Sequence, residues 1–273
     1  MTQMYHLRVL RVRGPAWVQG LAVRGASERG LPGGGALVPE DLIAANLRVG
    51  NRPDALGLEF FGELRVESSR GLALPDRNVE PGEQLFPTGR VGYLALQGGI
   101  EVPPVWGSAG WRCGRGVALS DGLGLPLGPG DAGALPPPPP HPLWRPDRPI
   151  RAVPGPVPCL DLFSQRWRVG EGDRTGLRLE GEPLPAGEGR GASAPMLPGA
   201  VQLPPDGRPI VLGPDHPLTG GYPVVAVVIR ADLGALFRRP RGAALQLLPV
   251  DPPLGRRLDR EHPLLRLGQA VRP

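Results

Sequence analysis

Apolar and polar positions along this chain mostly change with a short period. From residue 7 to 12, apolar residues are set against Arg8 and Arg11 with period two, as in a half-buried strand. The stretches 58–61, 64–67 and 91–96 read as further strands. After the last of these, Gln97-Gly98-Gly99 suits a tight turn needing positive φ, and Ile100-Glu101-Val102-Pro103-Pro104 leaves extended, which predicts a hairpin or sheet corner. In the second half, 150–156 reads as an extended entry. Strand candidates follow at 160–163, 167–169, 176–179, 210–212 and 224–230.

Helical spacing is rarer. The segment 39–50 has Pro39 at a first helical position, Glu40 and Asp41 in the first turn, apolar Leu42, Ile43 and Leu47, and Gly50 as a stop. A second helix is predicted over 231–240, with Asp232 as N-cap, Arg238 and Arg239 at its C-terminal end and Pro240 ending it. Five consecutive prolines, Pro136 to Pro140, impose polyproline II and forbid ladder pairing. They divide the chain into an N-terminal β domain with one short helix (1–133), a stiff Pro-rich linker (134–149) and a C-terminal β domain (150–273).

Composition narrows the chemistry. With 42 glycines and 38 prolines in 273 residues, disorder is an alternative to a folded chain, but apolar runs such as 91–96 and 224–229 argue for a turn-rich, mainly β protein. All 31 basic residues are arginine. Without lysine there is no Schiff-base chemistry and no Walker A phosphate loop. The net charge is +5, but arginines and acids are interspersed rather than gathered in a basic tract, so no nucleic-acid partner is expected. No run approaches a membrane span and no apolar leader opens the chain, so a soluble, cytoplasmic protein is expected. Cys113 and Cys159 form no CxxC pair and read as inert thiols. The four histidines form no HExxH or close pair, so no metal site is expected. Ser108 lacks the flanking glycine of a nucleophile elbow.

The most suggestive local group is Thr219-Gly220-Gly221-Tyr222, between the strand candidates 210–212 and 224–230. Successive glycine amides can form a nest for a carboxylate or oxyanion, with Thr219 and Tyr222 adding hydroxyls. Asp215 could orient a substrate amide or act as a base. Equally, the two glycines could simply turn the chain while Asp215 closes an Asx-turn.

Two long motifs carry a resemblance. They are Tyr93-Leu-Ala-Leu-Gln-Gly-Gly-Ile-Glu-Val-Pro-Pro-Val-Trp-Gly-Ser108 and Pro198-Gly-Ala-Val-Gln-Leu-Pro-Pro-Asp-Gly-Arg-Pro-Ile-Val-Leu212, the second continuing through Asp215 to Pro223. Shorter matches are Ala45-Asn46, Val49-Gly50-Asn51, Leu58-Glu59, Gly128-Pro129-Gly130-Asp131 and 175–181. Together they resemble the family of 5-oxoprolinase C subunits, also called KipA-like or allophanate hydrolase subunit 2, of the biotin-dependent carboxyltransferase domains.

The resemblance implies a mainly β protein of cyclophilin-like β-barrel domains with a few short helices. It implies a C-type subunit that works with a KipI-like B subunit, joined by an A subunit, to open 5-oxoproline to glutamate, or a related carboxyltransferase-like complex acting on a small amide. ATP would be used at the level of the complex, no cofactor would be covalently bound, and carboxybiotin would enter only in the carboxyltransferase reading. Asp215 is then the candidate catalytic residue, and Gln202, Thr219, Gly220, Gly221 and Tyr222 the candidate substrate-binding residues. The alternative is a non-catalytic KipA-like protein that binds a KipI-like partner and antagonises its inhibition of a sensor histidine kinase. The chain departs from the family pattern at Gly20, Glu28, Gly34 and Val38, where the family carries polar groups. At Val38 the family's aspartate would cap the helix that follows, a cap worth about 1 kcal/mol.

Overall fold

The computed structural model describes residues 6–128, 148–185, 191–262 and 266. Apart from its last two residues, the expected linker at 134–149 lies outside the described residues. The described chain falls into two compact units, one built from 6–23 and 34–128, the other from 24–33, 148–185 and 191–262. Both are dominated by strands, and the described residues include four α-helices, all short. The mainly β class with short helices is the one the sequence predicts.

In the first unit the opening strand, His6–Arg13, lies between Glu63–Ser68 and Gly124–Pro126 in a four-stranded antiparallel sheet. Its pairing with Glu63–Ser68 slips between Val9 and Arg11, leaving Leu10 as an extra residue. Here the sequence places two apolar residues in succession, Val9-Leu10, and the bulge restores the alternation so that Leu7 and Val9 are buried while Arg8 and Arg11 face solvent.

The second sheet of this unit has five strands, with Gly57–Phe60 and Gly92–Leu96 adjacent in it. The segment 117–125 joins the two sheets. Val18 N–H donates to Val117 O and Leu119 N–H to Ala16 O, while Val9 N–H donates to Leu123 O. One core of fully buried side chains, including Leu7, Val18, Leu58, Phe60, Leu64, Leu94 and Leu96, draws on both sheets.

The helix Pro39–Arg48 lies where the pattern predicts it and packs Ala45 and the following Val49 on Ala73 and Ala95. Its N-cap, Val38, makes no side-chain cap bond. Its entry is held instead by a buried carboxylate. Glu59 accepts from Leu37 N–H at 2.9 Å, Tyr93 O–H at 2.5 Å and Trp17 Nε1–H at 2.9 Å, while Val38 N–H donates to Tyr93 Oη at 2.9 Å. Burying an ion is tolerable only when its lone pairs are filled, and this network fills three positions on Glu59. Below the helix, Asn51 donates to Asn46 Oδ1 and Leu96 O and accepts from Gly98 N–H. Gly98 and Gly99 have φ of 90° and 72°, the positive values the turn requires.

The second unit holds an eight-stranded sheet whose two edges are the strands Ala244–Leu245 and Leu247–Pro249. Those edges are contiguous in sequence, interrupted only at Gln246. The first pairs antiparallel with Trp167–Gly172, the second parallel with Ile150–Pro154. The sheet therefore bends round to meet itself as a nearly closed barrel, which removes most of its free edge. Its wall is filled by Trp167, Val169, Leu177, Leu179, Val201 and Val211, all fully buried.

Two expectations are corrected in this unit and one unexpected element appears. Residues 160–163, expected as a strand, begin a short helix, Asp161–Ser164, which buries Leu162 and leaves Leu160 exposed; Leu162 O accepts from Trp167 Nε1–H at 2.9 Å. Asp232 is not an N-cap. The helix runs Arg230–Arg238 behind Ile229, and Asp232 lies inside its first turn with no exposure at all. There it accepts from Arg151 N, Nε and Nη2 at 2.8, 2.8 and 2.7 Å and from Arg148 Nη2 at 3.1 Å. The unexpected element is a ten-residue helix, Pro252–Glu261, which is not among the helices predicted from the sequence. Asp251 caps it, accepting from Leu254 N–H at 2.7 Å, and its Asp259 accepts from Ala231 N–H at 2.7 Å at the start of the other helix.

His262 follows this helix. Burial, reinforced by the charge of Arg148, holds its imidazolium pKa below the ordinary value of 6.5. The unfolded chain then binds a proton more readily than the folded one. The stability this group contributes is full above pH 6.5 and is lost as pH falls toward the depressed folded value. Melting temperatures measured across that range should fall with acidification, and His262→Gln should flatten the slope; an identical slope in the variant would refute the assignment.

Candidate functional site

The candidate residues of the second unit lie on two separate sheets and the loops beside them: Gln202 in the barrel sheet, Thr219–Gly220 in a two-stranded sheet, and Asp215, Gly221 and Tyr222 outside strands. Gln202 ends the strand Ala200–Gln202, and its pairing with Val224–Val228 slips so that Val225 is an extra residue opposite it. Bulges of this kind re-aim side chains, and here the bulge adjoins the Gln202 amide. Thr219–Gly220 pairs with Ala194–Pro195, extended by Met196 N–H to Leu218 O at 2.8 Å and Gly191 N–H to Gly221 O at 2.9 Å.

Gly220 explains how these pieces meet. A Cβ there would lie 2.5 Å from Gln202 Nε2 and 3.3 Å from Met196 Cγ, so the missing side chain is the space the amide occupies. Gln202 Nε2 donates to Met196 Sδ at 3.4 Å. A thioether is a weak acceptor, and the amide gives up little by exchanging it for a ligand oxygen. Thr219 is exposed and Tyr222 half-buried. Sequence reasoning missed Met196, whose only signal was its place just before the long motif.

The anion nest does not form. A nest needs alternating right- and left-handed backbone, whereas Thr219–Gly220 is extended strand and neither Gly220 nor Gly221 is among the glycines of positive φ. What this hairpin offers is a strand with an exposed hydroxyl at Thr219, beside a buried amide.

Asp215 lies in the loop between the strands Ile210–Leu212 and Thr219–Gly220. Both its oxygens are engaged by Arg174, from Nε at 2.8 Å and from Nη2 at 3.1 Å, with the two side chains 9% and 6% exposed. Asp215 N–H also donates to Arg174 O at 3.0 Å, and Gly213 N–H to Thr175 O at 2.9 Å, so the loop is pinned to the turn at 173–176 by backbone and side chain together. This bidentate pair positions the loop. The next residue, His216, is 4% exposed with Nδ1 at 2.8 Å from Pro217 O. A carbonyl only accepts, so Nδ1 carries the proton and Nε2 keeps a lone pair when the ring is neutral. Asp215-His216 is thus a paired carboxylate next to a buried imidazole, a combination sequence reasoning did not single out.

The positions that depart from the family pattern have physical correlates, Gly20 and Gly34 in the first unit and Glu28 in the second. A Cβ on Gly20 would lie 2.8 Å from Leu56 Cδ2, and one on Gly34 would lie 2.8 Å from Arg112 Cγ and 2.9 Å from Cδ. Both volumes are already filled by neighbouring side chains. Glu28 lies in a 3₁₀ turn, Ser27–Arg29, and is exposed.

Other chemistry is sparse. Among the described residues no group of three or more His, Cys, Asp or Glu side chains is placed to hold a metal ion. No described helix is long and apolar enough to cross a membrane. Burial pushes the Cys159 thiol above its ordinary pKa, away from the reactive thiolate.

Residues 78–249 match the carboxyltransferase domain family, subdomains A and B. The chain is 33% identical to the C subunit of 5-oxoprolinase from Escherichia coli over 89% of its own length and 90% of that protein. It is 26% identical to the protein of the same name from Haemophilus influenzae, again over 89% and 90%. The crystal structure of TTHA0988 superposes with a TM-score of 0.78 at 29% identity, covering 91% of this chain but 56% of that one. The urea amidolyase of K. lactis shares the fold at a TM-score of 0.77 and 20% identity, this chain spanning 20% of its length. The chain therefore belongs to the carboxyltransferase-domain family, among the relatives that include the C subunits of 5-oxoprolinase.

Proposed function

We propose that this chain is the C-type subunit of an ATP-dependent, 5-oxoprolinase-like complex that opens a small cyclic amide. Colinearity carries the reading: similarity to the Escherichia coli protein runs along almost the whole of both chains, whereas in the urea amidolyases the matching segment is a small part of a much longer protein. Gln202 holds the substrate amide, exchanging the Met196 sulfur for a ligand oxygen, and the Thr219 and Tyr222 hydroxyls border it. The Asp215–Arg174 pair fixes the loop between the strands that carry these groups. The chain has no lysine of the kind that reaches nucleotide phosphates, which favours ATP on a partner. A KipI-like B subunit together with an A subunit would complete the assembly, and carboxybiotin enters only if the complex transfers carboxyl groups.

The test is to mix the purified chain with its B-type and A-type partners and measure 5-oxoproline-dependent ATP hydrolysis. Activity above the mixture lacking this chain is expected; its absence sinks the reading. Within that assay, Gly220→Ala should raise KM about tenfold with little loss of kcat, because the new methyl displaces the flexible end of Gln202. Its stability should change by under about 1 kcal/mol. An unchanged KM would remove Gln202 from the site.

One observation favours a second reading, in which the chain is a KipA-like docking protein. Asp215 has both oxygens committed to Arg174, and Gly20, Gly34 and Val38 stand where the family carries polar side chains. Under that reading partner binding persists while Thr219→Ala and Gln202→Ala change no activity.

A further inference from the structure

Arg112 is 2% exposed, yet its guanidinium is barely satisfied. Nη2 donates to Trp106 O at 2.5 Å, while Nε and Nη1 are buried and have no hydrogen-bond partner among the described residues. Those two nitrogens carry three N–H groups, on a side chain that stays ionised at any physiological pH. A buried cation without an anion is among the costliest arrangements in a folded protein, and it persists where something else supplies the counter-charge.

The surroundings hold the group in place without neutralising it. The backbone of Gly34, at φ 61°, leaves the volume that the Arg112 stem fills; any side chain there would collide with Cγ and Cδ. Arg112 N–H and Arg115 N–H each donate to the other's carbonyl, at 2.8 and 2.9 Å, across the turn at Cys113-Gly114. Among the described residues two non-glycine residues have positive φ, and both belong to this corner: Cys113 at 50°, adjacent to Arg112, and Trp106 at 51°, whose carbonyl is its partner. Backbone held in this region is strained and recurs at ligand-binding corners. The Arg115 guanidinium lies 5.5 Å from the Trp106 ring centroid, adding a second cation. Neither arginine makes an ion pair with a described residue.

We propose that this corner of the first unit is a binding site for a small carboxylate, received on Nε and Nη1 of Arg112. A single buried positive charge matches a monoanion, and a planar donor fork matches a carboxylate. 5-oxoproline, a small ring with one carboxylate, is the probe; the site needs only Arg112 and its corner of the first unit, and Gln202 of the second unit takes no part in it.

The experiment is a thermal-shift titration of the full chain with 5-oxoproline and with 2-pyrrolidinone, the same ring without the carboxylate, on the parent protein and on R112M. 5-oxoproline should raise the parent's Tm and 2-pyrrolidinone should not. R112M should lose the ligand shift while its unliganded Tm stays level or rises by about 2–4 °C, because a uniformly structural arginine would do the reverse. No shift with the parent, an equal shift from 2-pyrrolidinone, or a shift retained in R112M overturns the proposal. Should R112M fail to fold, R112K decides. It keeps the charge but loses the fork, so affinity about tenfold weaker supports the site and unchanged affinity overturns it. Arg112-dependent binding of the B-type partner with none of 5-oxoproline would put a protein carboxylate there instead and overturn it too. Arg112-dependent binding of 5-oxoproline without ATP hydrolysis in the reconstituted complex would sink the enzymatic reading and leave this site standing.

Discussion

Replacing Asp232 with alanine is expected to destabilise the second unit by about 3–5 kcal/mol, seen as a fall in Tm of roughly 10 °C. The carboxylate is fully buried and receives four hydrogen bonds from Arg148 and Arg151. The cost comes mainly from what is left behind. The Arg151 side chain is 17% exposed and loses every bond given for it to the carboxylate, and its backbone N–H is orphaned at the start of a barrel strand. Asp232→Asn should cost less, because the amide still accepts one bond and keeps the shape. Equal melting of Asp232→Ala and the parent would mean that water replaces the carboxylate without penalty.

Asp215→Ala is expected to lower activity and stability together, the second by about 3 kcal/mol, because it removes the carboxylate to which Nε and Nη2 of the buried Arg174 donate. A loss of activity in that variant alone would therefore say little about chemistry. The decisive variant replaces both partners, Arg174→Met with Asp215→Leu, since an apolar pair of similar volume can substitute for a buried ion pair at little cost in stability. With the loop held by the apolar pair and its backbone bonds, Tm should return near the parent value and activity in the reconstituted complex should lie within about tenfold of it. A drop of roughly 10²–10⁴ at restored stability would instead mean that Asp215 acts on the substrate as an acid or base. Calorimetric melting and steady-state hydrolysis on the same preparations separate the outcomes.

The parts of the molecule legible in the sequence are those governed by local rules. The period-two runs became strands, and Pro39 with its following acids became a helix of the expected position. Gly98-Gly99 became a positive-φ turn. Asp251-Pro252-Pro253 carries an equally plain helix-start signal, an N-cap followed by proline at the first helical position, but the helix behind it is strongly polar, its apolar stripe reduced to Leu254 and Leu258 one turn apart. Asp232 defeats local rules because a carboxylate near a helix start serves as cap or as counter-ion, and the choice depends on arginines some eighty residues away.

The candidate site divides in the same way. Gln202, Thr219 and Gly220 were visible as polar and small residues inside one motif, and although they lie in different sheets the fold brings the Gln202 amide against Gly220. The engagement of Asp215 by Arg174 and the isolation of Arg112 depend on distant parts of the chain, whereas Met196 lies only six residues before Gln202 but carries no signal in the spacing. Nothing in the spacing of Arg112 separates it from the other arginines; only burial does. The glycine nest failed because two successive glycines permit a left-handed turn without requiring one, and strand pairing with Ala194–Pro195 decided the matter.

The meeting of the barrel's edges at Gln246 has a consequence for how the chain acquires its structure. Ile150 finds Leu247, and Trp167 finds Leu245, only across roughly a hundred and roughly eighty residues of intervening chain, so the contacts that shut the sheet carry the largest loop-closure cost in the unit. During synthesis the strands Ile150–Pro154 and Trp167–Gly172 emerge early and wait with open hydrogen-bonding edges until 244–249 leave the ribosome. Over that interval the nascent chain is a half-built sheet with two unpaired rims, the state in which it is most exposed to strand exchange with another copy of itself and in which a chaperone would have most to protect.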